Sequence, residues 1–100
     1  MVQYEKLVRD RIPEILDAKG IGYEQRVADM GEYHEALIAK LNEEVLEFTE
    51  DKSVDELADV LEVIKSLMSL PKYSDVDTIR QRKQEERGGF TKRLILTGEK

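Results

Sequence analysis

Apolar residues recur three and four positions apart over two long stretches of this chain, a spacing that predicts two amphipathic helices. Over 32–50, Leu37, Leu41, Val45 and Phe48 fall on one inward stripe at about 100° per residue. In the next stretch Leu57, Val60, Leu61, Val63, Ile64, Leu67, Met68 and Leu70 cover more than half the circumference, and Pro71 ends the run. Ser53-Val54-Asp55-Glu56 opens this second helix as a capping box, and Asp51-Lys52 is a tight connection, so the two form an antiparallel hairpin. A shorter helix is expected over 10–19, with Asp10 as cap, Pro13 in the first turn and Gly20 as the stop. Ser74-Asp75-Val76-Asp77 repeats the capping logic and opens a fourth helix, closed by Gly88-Gly89. Two stretches, 22–29 (GYEQRVAD) and 91–96 (TKRLIL), read as strands that can pair. The expected fold is mostly α: a single domain over 1–100, four helices around a central antiparallel hairpin, and a small β element.

Composition narrows the class. One hundred residues suit one domain, and 40% hydrophobic residues suffice for one core. There is no cysteine, which excludes a disulfide scaffold, a thiolate zinc site and a cysteine nucleophile. No apolar run approaches a membrane span, and MVQYEKLVRDR lacks the apolar core of a signal peptide, so a cytoplasmic protein without a membrane partner is expected. The net charge of -6 argues against binding a nucleic-acid polymer.

That charge is unevenly spread. Residues 29–62 hold twelve carboxylates against Lys40 and Lys52, a local charge of −10. A charge run is ordinarily a solvated helix face. Phase argues otherwise here, because Glu44 lies on the shoulder of the first apolar stripe with Glu47 three residues on, while Glu56 falls inside the apolar arc of the second helix and Asp59 at its margin. A carboxylate aimed into an apolar face is costly unless a cation or hydrogen-bond donors meet it. The hairpin turn sharpens this: Glu44 and Asp59 stand equally far from it, and so do Glu47 and Glu56, one turn nearer the loop. Four converging like charges repel or raise one another's pKa values, and a divalent cation removes the conflict. An all-oxygen set without His or Cys suits Mg²⁺ or Mn²⁺ better than zinc. Glu56 has a second reading, since at the third position of the capping box it can bond the Ser53 amide instead.

Glu43-Glu44-x-x-Glu47 followed by Glu56-x-x-Asp59 resembles the paired carboxylate motif of the MazG-like, all-α nucleoside triphosphate pyrophosphohydrolases. The opening YEKLVRDRIPEIL and the late EERGGFTKRLIL resemble the small house-cleaning branch, the phosphoribosyl-ATP pyrophosphohydrolase-like proteins, so the similarity spans nearly the whole chain. Eight residues separate Glu47 from Glu56, a shorter hairpin than in many members. The resemblance implies an all-α NTP pyrophosphatase-like bundle and Mg²⁺-dependent hydrolysis between the α and β phosphates, releasing a monophosphate and pyrophosphate. It implies Glu44, Glu47, Glu56 and Asp59 as metal ligands, with Glu43 as an outer-shell or water-orienting carboxylate in the same catalytic set.

A phosphate chain also needs cations. Lys83 and Arg87, four apart on the fourth helix, are the favoured phosphate contacts, with surface solubility as their alternative role. Lys6, Arg9 and Arg11 can reach phosphate or pair with the acidic cluster. His34 stands alone and is expected at the surface or partly packed; among the aromatics, Phe90 after the double glycine is the best placed for touching a base. The apolar arc of the second hairpin helix is too wide for one neighbour, and Leu46 points away from its own stripe, which predicts a homodimer or higher homo-oligomer. Phosphoribosyl-ATP hydrolysis and a non-catalytic helical interaction module are the competing readings of the same residues.

Overall fold

The computed structural model describes residues 5–99. Its order is α1 (Ile12–Ala18), α2 (Met30–Asp51), α3 (Val54–Met68), a 3₁₀ turn (Pro71–Tyr73) and α4 (Val76–Arg87). The chain divides into two compact units, Met1–Leu67 and Met68–Lys100. Among the described residues the fold is all-α, and no helix is long and apolar enough to cross a membrane. Tyr4, where the opening YEKLVRDRIPEIL begins, lies outside the described residues.

In the first unit, α1 is shorter than expected. Its cap position is Arg11, which makes no side-chain capping bond, and Asp10 lies in the turn ahead of it. Pro13 sits in the first turn as the sequence requires. Gly20, at φ +69, closes the helix, with Gly20 N–H donating to Asp17 O and Ile21 N–H to Leu16 O, the paired bonds of a left-handed C-terminal cap. α2 begins two residues earlier than its apolar stripe suggests, because Asp29 Oδ1 accepts from the Glu32 amide at 2.9 Å. Its far end is set by Lys52, a non-glycine residue in the left-handed region (φ 53), whose amide donates to Phe48 O at 2.7 Å. Ser53 Oγ then accepts from the Glu56 amide at 3.1 Å and starts α3. The hairpin connection is therefore Lys52-Ser53.

Both expected strands are corrected. Over 22–29 the chain is irregular, and Val27 is 97% exposed. The polar groups there find side chains rather than a ladder: Arg26 donates to both Glu32 oxygens at 2.6 and 2.7 Å and to Glu5 Oε1 at 3.3 and 3.4 Å. In the second unit, 91–96 begins with a turn, Arg93 N–H donating to Phe90 O, and Leu94, Ile95 and Leu96 stand exposed. A lone extended segment gains nothing from β propensity without a paired neighbour. α4 starts after Asp75, but that side chain accepts no capping bond; Asp77 instead takes Arg80 and Gln81 at 2.9 and 3.0 Å.

The buried set is small. Among the described residues Leu37, Val60, Val63 and Leu70 are the buried apolar side chains, and Glu44 is the buried charged one. The inward face of α2 is thus rotated from the expected stripe: Val45 is exposed, while Leu41 and Phe48 are half-buried. α3 turns Glu56, Asp59, Val60, Val63, Ser66 and Leu67 inward to varying degrees and leaves Val54, Leu57, Leu61, Ile64 and Met68 exposed.

Candidate metal centre

Three carboxylates meet across the hairpin. One oxygen from each of Glu44 on α2 and Glu56 and Asp59 on α3 lies within 4.8 Å of the others, close enough for all three to contact one ion. The expected pairing of Glu44 with Asp59 is met, while Glu56 joins that pair rather than forming a second one with Glu47. Glu47, the fourth expected ligand, is exposed and is not one of the three grouped carboxylates, although it acts on the acidity of both Glu44 and Glu56.

The environment of these groups is costly without an ion. Glu44 is only 7% exposed; its Oε1 pairs with Lys40 Nζ at 3.3 Å, and its Oε2 is buried with no hydrogen-bond partner. Glu56 Oε2 is likewise buried and unpartnered. The capping bond at this turn therefore runs from the Glu56 amide to Ser53, and it leaves the Glu56 carboxylate available to the cluster. Burial pushes the Glu44 carboxyl above the ordinary 4.5; Lys40 opposes that and Glu47 adds to it. Burial also pushes Glu56 up, with the charges of Asp59, Asp51 and Glu44 acting the same way and neighbouring Glu47 working against them. A divalent cation held among these three carboxylates would give the two orphaned oxygens a partner. The donor set is all oxygen and fits a hard cation.

Cations ring the cluster. Arg9 Nη2 donates to Asp59 Oδ1 at 2.8 Å, and Glu43 lies outside the cluster with Lys6 and Lys40, each at 3.5 Å. Arg11 pairs with Glu14 in the same segment. Lys40 is the member that sequence reasoning missed; its signal was present in its spacing of four from Glu44 on a helix. Beside the cluster opens a groove of about 440 Å³. Arg9, Lys40 and Tyr33 line it together with Glu44, Asp59 and Val63. Its volume lies within the range of small-molecule sites.

The remaining sequence candidates sit elsewhere. Lys83 and Arg87 are exposed on α4 of the second unit, and Phe90 beyond them is almost wholly exposed. His34 is partly packed, with Nδ1 3.8 Å from Glu35, and takes no part in the acid cluster. Comparison with known proteins adds nothing to this picture: no family model, no curated protein and no solved structure matches the chain.

Proposed function

We propose that the chain is a nucleotide pyrophosphohydrolase of MazG-like type, cleaving a nucleoside triphosphate or related nucleotide between the α and β phosphates. Non-standard nucleotides are the substrates expected of a house-cleaning member. The observation that carries this reading is the pair of buried, unpartnered oxygens, Glu44 Oε2 and Glu56 Oε2, converging with Asp59 across the hairpin. In this reading Glu44, Glu47, Glu56 and Asp59 hold Mg²⁺ or Mn²⁺. The bound cation supplies charge neutralisation at the phosphates and acidifies water. Glu43, steadied by Lys6 and Lys40, orients water from outside the cluster. Arg9 and Lys6 contact the phosphate chain, and the groove beside Tyr33 admits the rest of the nucleotide. Lys83 and Arg87 are the second unit's candidates for phosphate contact. Positioning and electrostatics supply most of what phosphoryl chemistry requires.

The reading includes a homodimer or larger homo-oligomer in the cytoplasm. Its support is the exposed run Val54, Leu57, Leu61, Ile64 and Met68, spaced three, four, three and four apart as in a helix-packing seam. The same run also favours a second reading, a helical interaction module whose acids hold a structural ion. One experiment separates them: a nucleotide panel incubated with and without Mg²⁺, following pyrophosphate release. Mg²⁺-dependent release of pyrophosphate and monophosphate from at least one nucleotide supports the enzyme. No release from any nucleotide, with Mn²⁺ binding intact, supports the module.

A further inference from the structure

Arg9 occupies an odd position for a residue of an anion-binding site. Its guanidinium is bonded to Asp59, a carboxylate of the cluster, at 2.8 Å, yet it is more than half exposed and lines the groove. It comes from the non-helical segment ahead of α1, while Lys40 approaches Glu44 from within α2. Lys40 is the more buried of the two and is held by two carboxylates, Glu43 and Glu44. The two cations therefore differ in their freedom to leave.

Charge matching gives the difference a meaning. Glu43, Glu44, Glu47, Glu56 and Asp59 carry five negative charges when ionised, and Lys6, Lys40 and Arg9 return three, which leaves the charge of one divalent cation. A metal-bound polyphosphate brings further negative charge into the groove. One cation must then serve the incoming oxygens, and a guanidinium can turn its paired donors from carboxylate to phosphate without losing charge-assisted hydrogen bonds. Exposed ion pairs of this kind are weak, so the exchange is cheap.

We propose that Arg9 is a hand-over cation: it screens Asp59 while the groove is empty of phosphate and transfers to the polyphosphate of the metal-bound ligand, coupling substrate arrival to full exposure of the metal-binding oxygens. This rests on the pyrophosphohydrolase reading and adds a role for Arg9 that phosphate contact alone does not contain. The coupling has a distinctive sign. Removing the guanidinium lifts a competing positive charge from the metal site and removes a donor from the phosphate site, so the two affinities move in opposite directions.

The test titrates Mn²⁺ alone, then Mn²⁺ with an α,β-methylene nucleoside triphosphate, into the full chain and its Arg9→Gln and Arg9→Lys variants. Arg9→Gln should bind Mn²⁺ about two- to fivefold more tightly than the parent. It should bind the Mn²⁺–nucleotide analogue about tenfold more weakly. Arg9→Lys should keep the parental Mn²⁺ affinity and recover part of the analogue affinity. Circular dichroism of each variant checks that the helices are intact. If Arg9→Gln weakens both affinities together, Arg9 merely orients Asp59, and the hand-over is overturned. Unchanged affinities overturn it as well. Mn²⁺ binding with no analogue affinity in the parent overturns the hand-over and the pyrophosphohydrolase reading together, leaving the ion site. Absence of Mn²⁺ binding in the parent overturns the metal centre itself.

Discussion

The two sides of α3 differ from those of an ordinary amphipathic helix. Toward α2 it presents Glu56 and Asp59 beside the buried Val60 and Val63, and the carboxylates join Glu44 in a cluster with orphaned oxygens. On the other side Leu57 and Leu61 are 51% and 53% exposed, with Val54, Ile64 and Met68 also open. Stability alone would place the leucines inside and the acids outside. α3 thus carries carboxylates among its covered residues and five large apolar side chains among its open ones, a pattern that the proposed ion and the proposed second copy of the chain would each explain.

The largest effect is expected on the acid side. Glu56→Gln and Asp59→Asn should each lower Mg²⁺-dependent pyrophosphate release at least about a hundredfold, while the helical circular dichroism is retained. Full activity in both variants would break the contrast, reducing the inner side to an ordinary polar seam.

The apolar side should respond in assembly rather than chemistry. Leu57→Ala combined with Leu61→Ala removes hydrocarbon that the isolated chain leaves half open, so the monomer's fold should be preserved. Dimer dissociation should become about a hundredfold easier, read by light scattering across a dilution series. A parent chain that is already monomeric at micromolar concentration would remove the second partner altogether.

Acidity provides a third probe. The folded Glu44 and Glu56 carboxyls lie above 4.5, so the metal-free fold holds these protons more tightly than the unfolded chain does. Their contribution to stability is complete below 4.5 and is lost as pH rises through the raised values. The Tm of metal-free protein should therefore fall more steeply above that pH than the Tm of Glu44→Gln, and Mn²⁺ should restore the parental Tm near neutrality. A parent and variant with parallel pH profiles would contradict the buried, uncompensated state of Glu44.

The smallest effect belongs to the connection that sets the hairpin register. Lys52 adopts φ 53, a conformation that suits glycine, so Lys52→Gly should stabilise the fold by about 0.5–1 kcal/mol in urea unfolding. Destabilisation would mean that the lysine side chain contributes more at the turn than its backbone strain costs.

Much of this molecule was legible in the residue pattern because local chemistry decides it. Ser53 caps its helix through a bond three residues long, Gly20 and Gly88 end theirs at positive φ, and the equal spacing of Glu44 and Asp59 from the turn brings those two together. The strands were not legible, because 22–29 and 91–96 carry β propensity but a strand exists only with a partner. Asp10 and Asp75 have the right residue type for capping, yet neither side chain closes the bond. The buried face of α2 was misjudged by part of a turn, since hydrophobicity favours Val45 whereas the structure buries Glu44.

The sequence by itself determined four helices, a central hairpin and the height at which its acids stand, because helical spacing and capping operate within a few residues. Only the tertiary structure decided which face of each helix turned inward and that Arg9 reaches Asp59 across fifty positions. Those facts depend on which surfaces meet, and a periodic pattern with apolar residues on both sides of α3 leaves that choice open until the helices pack.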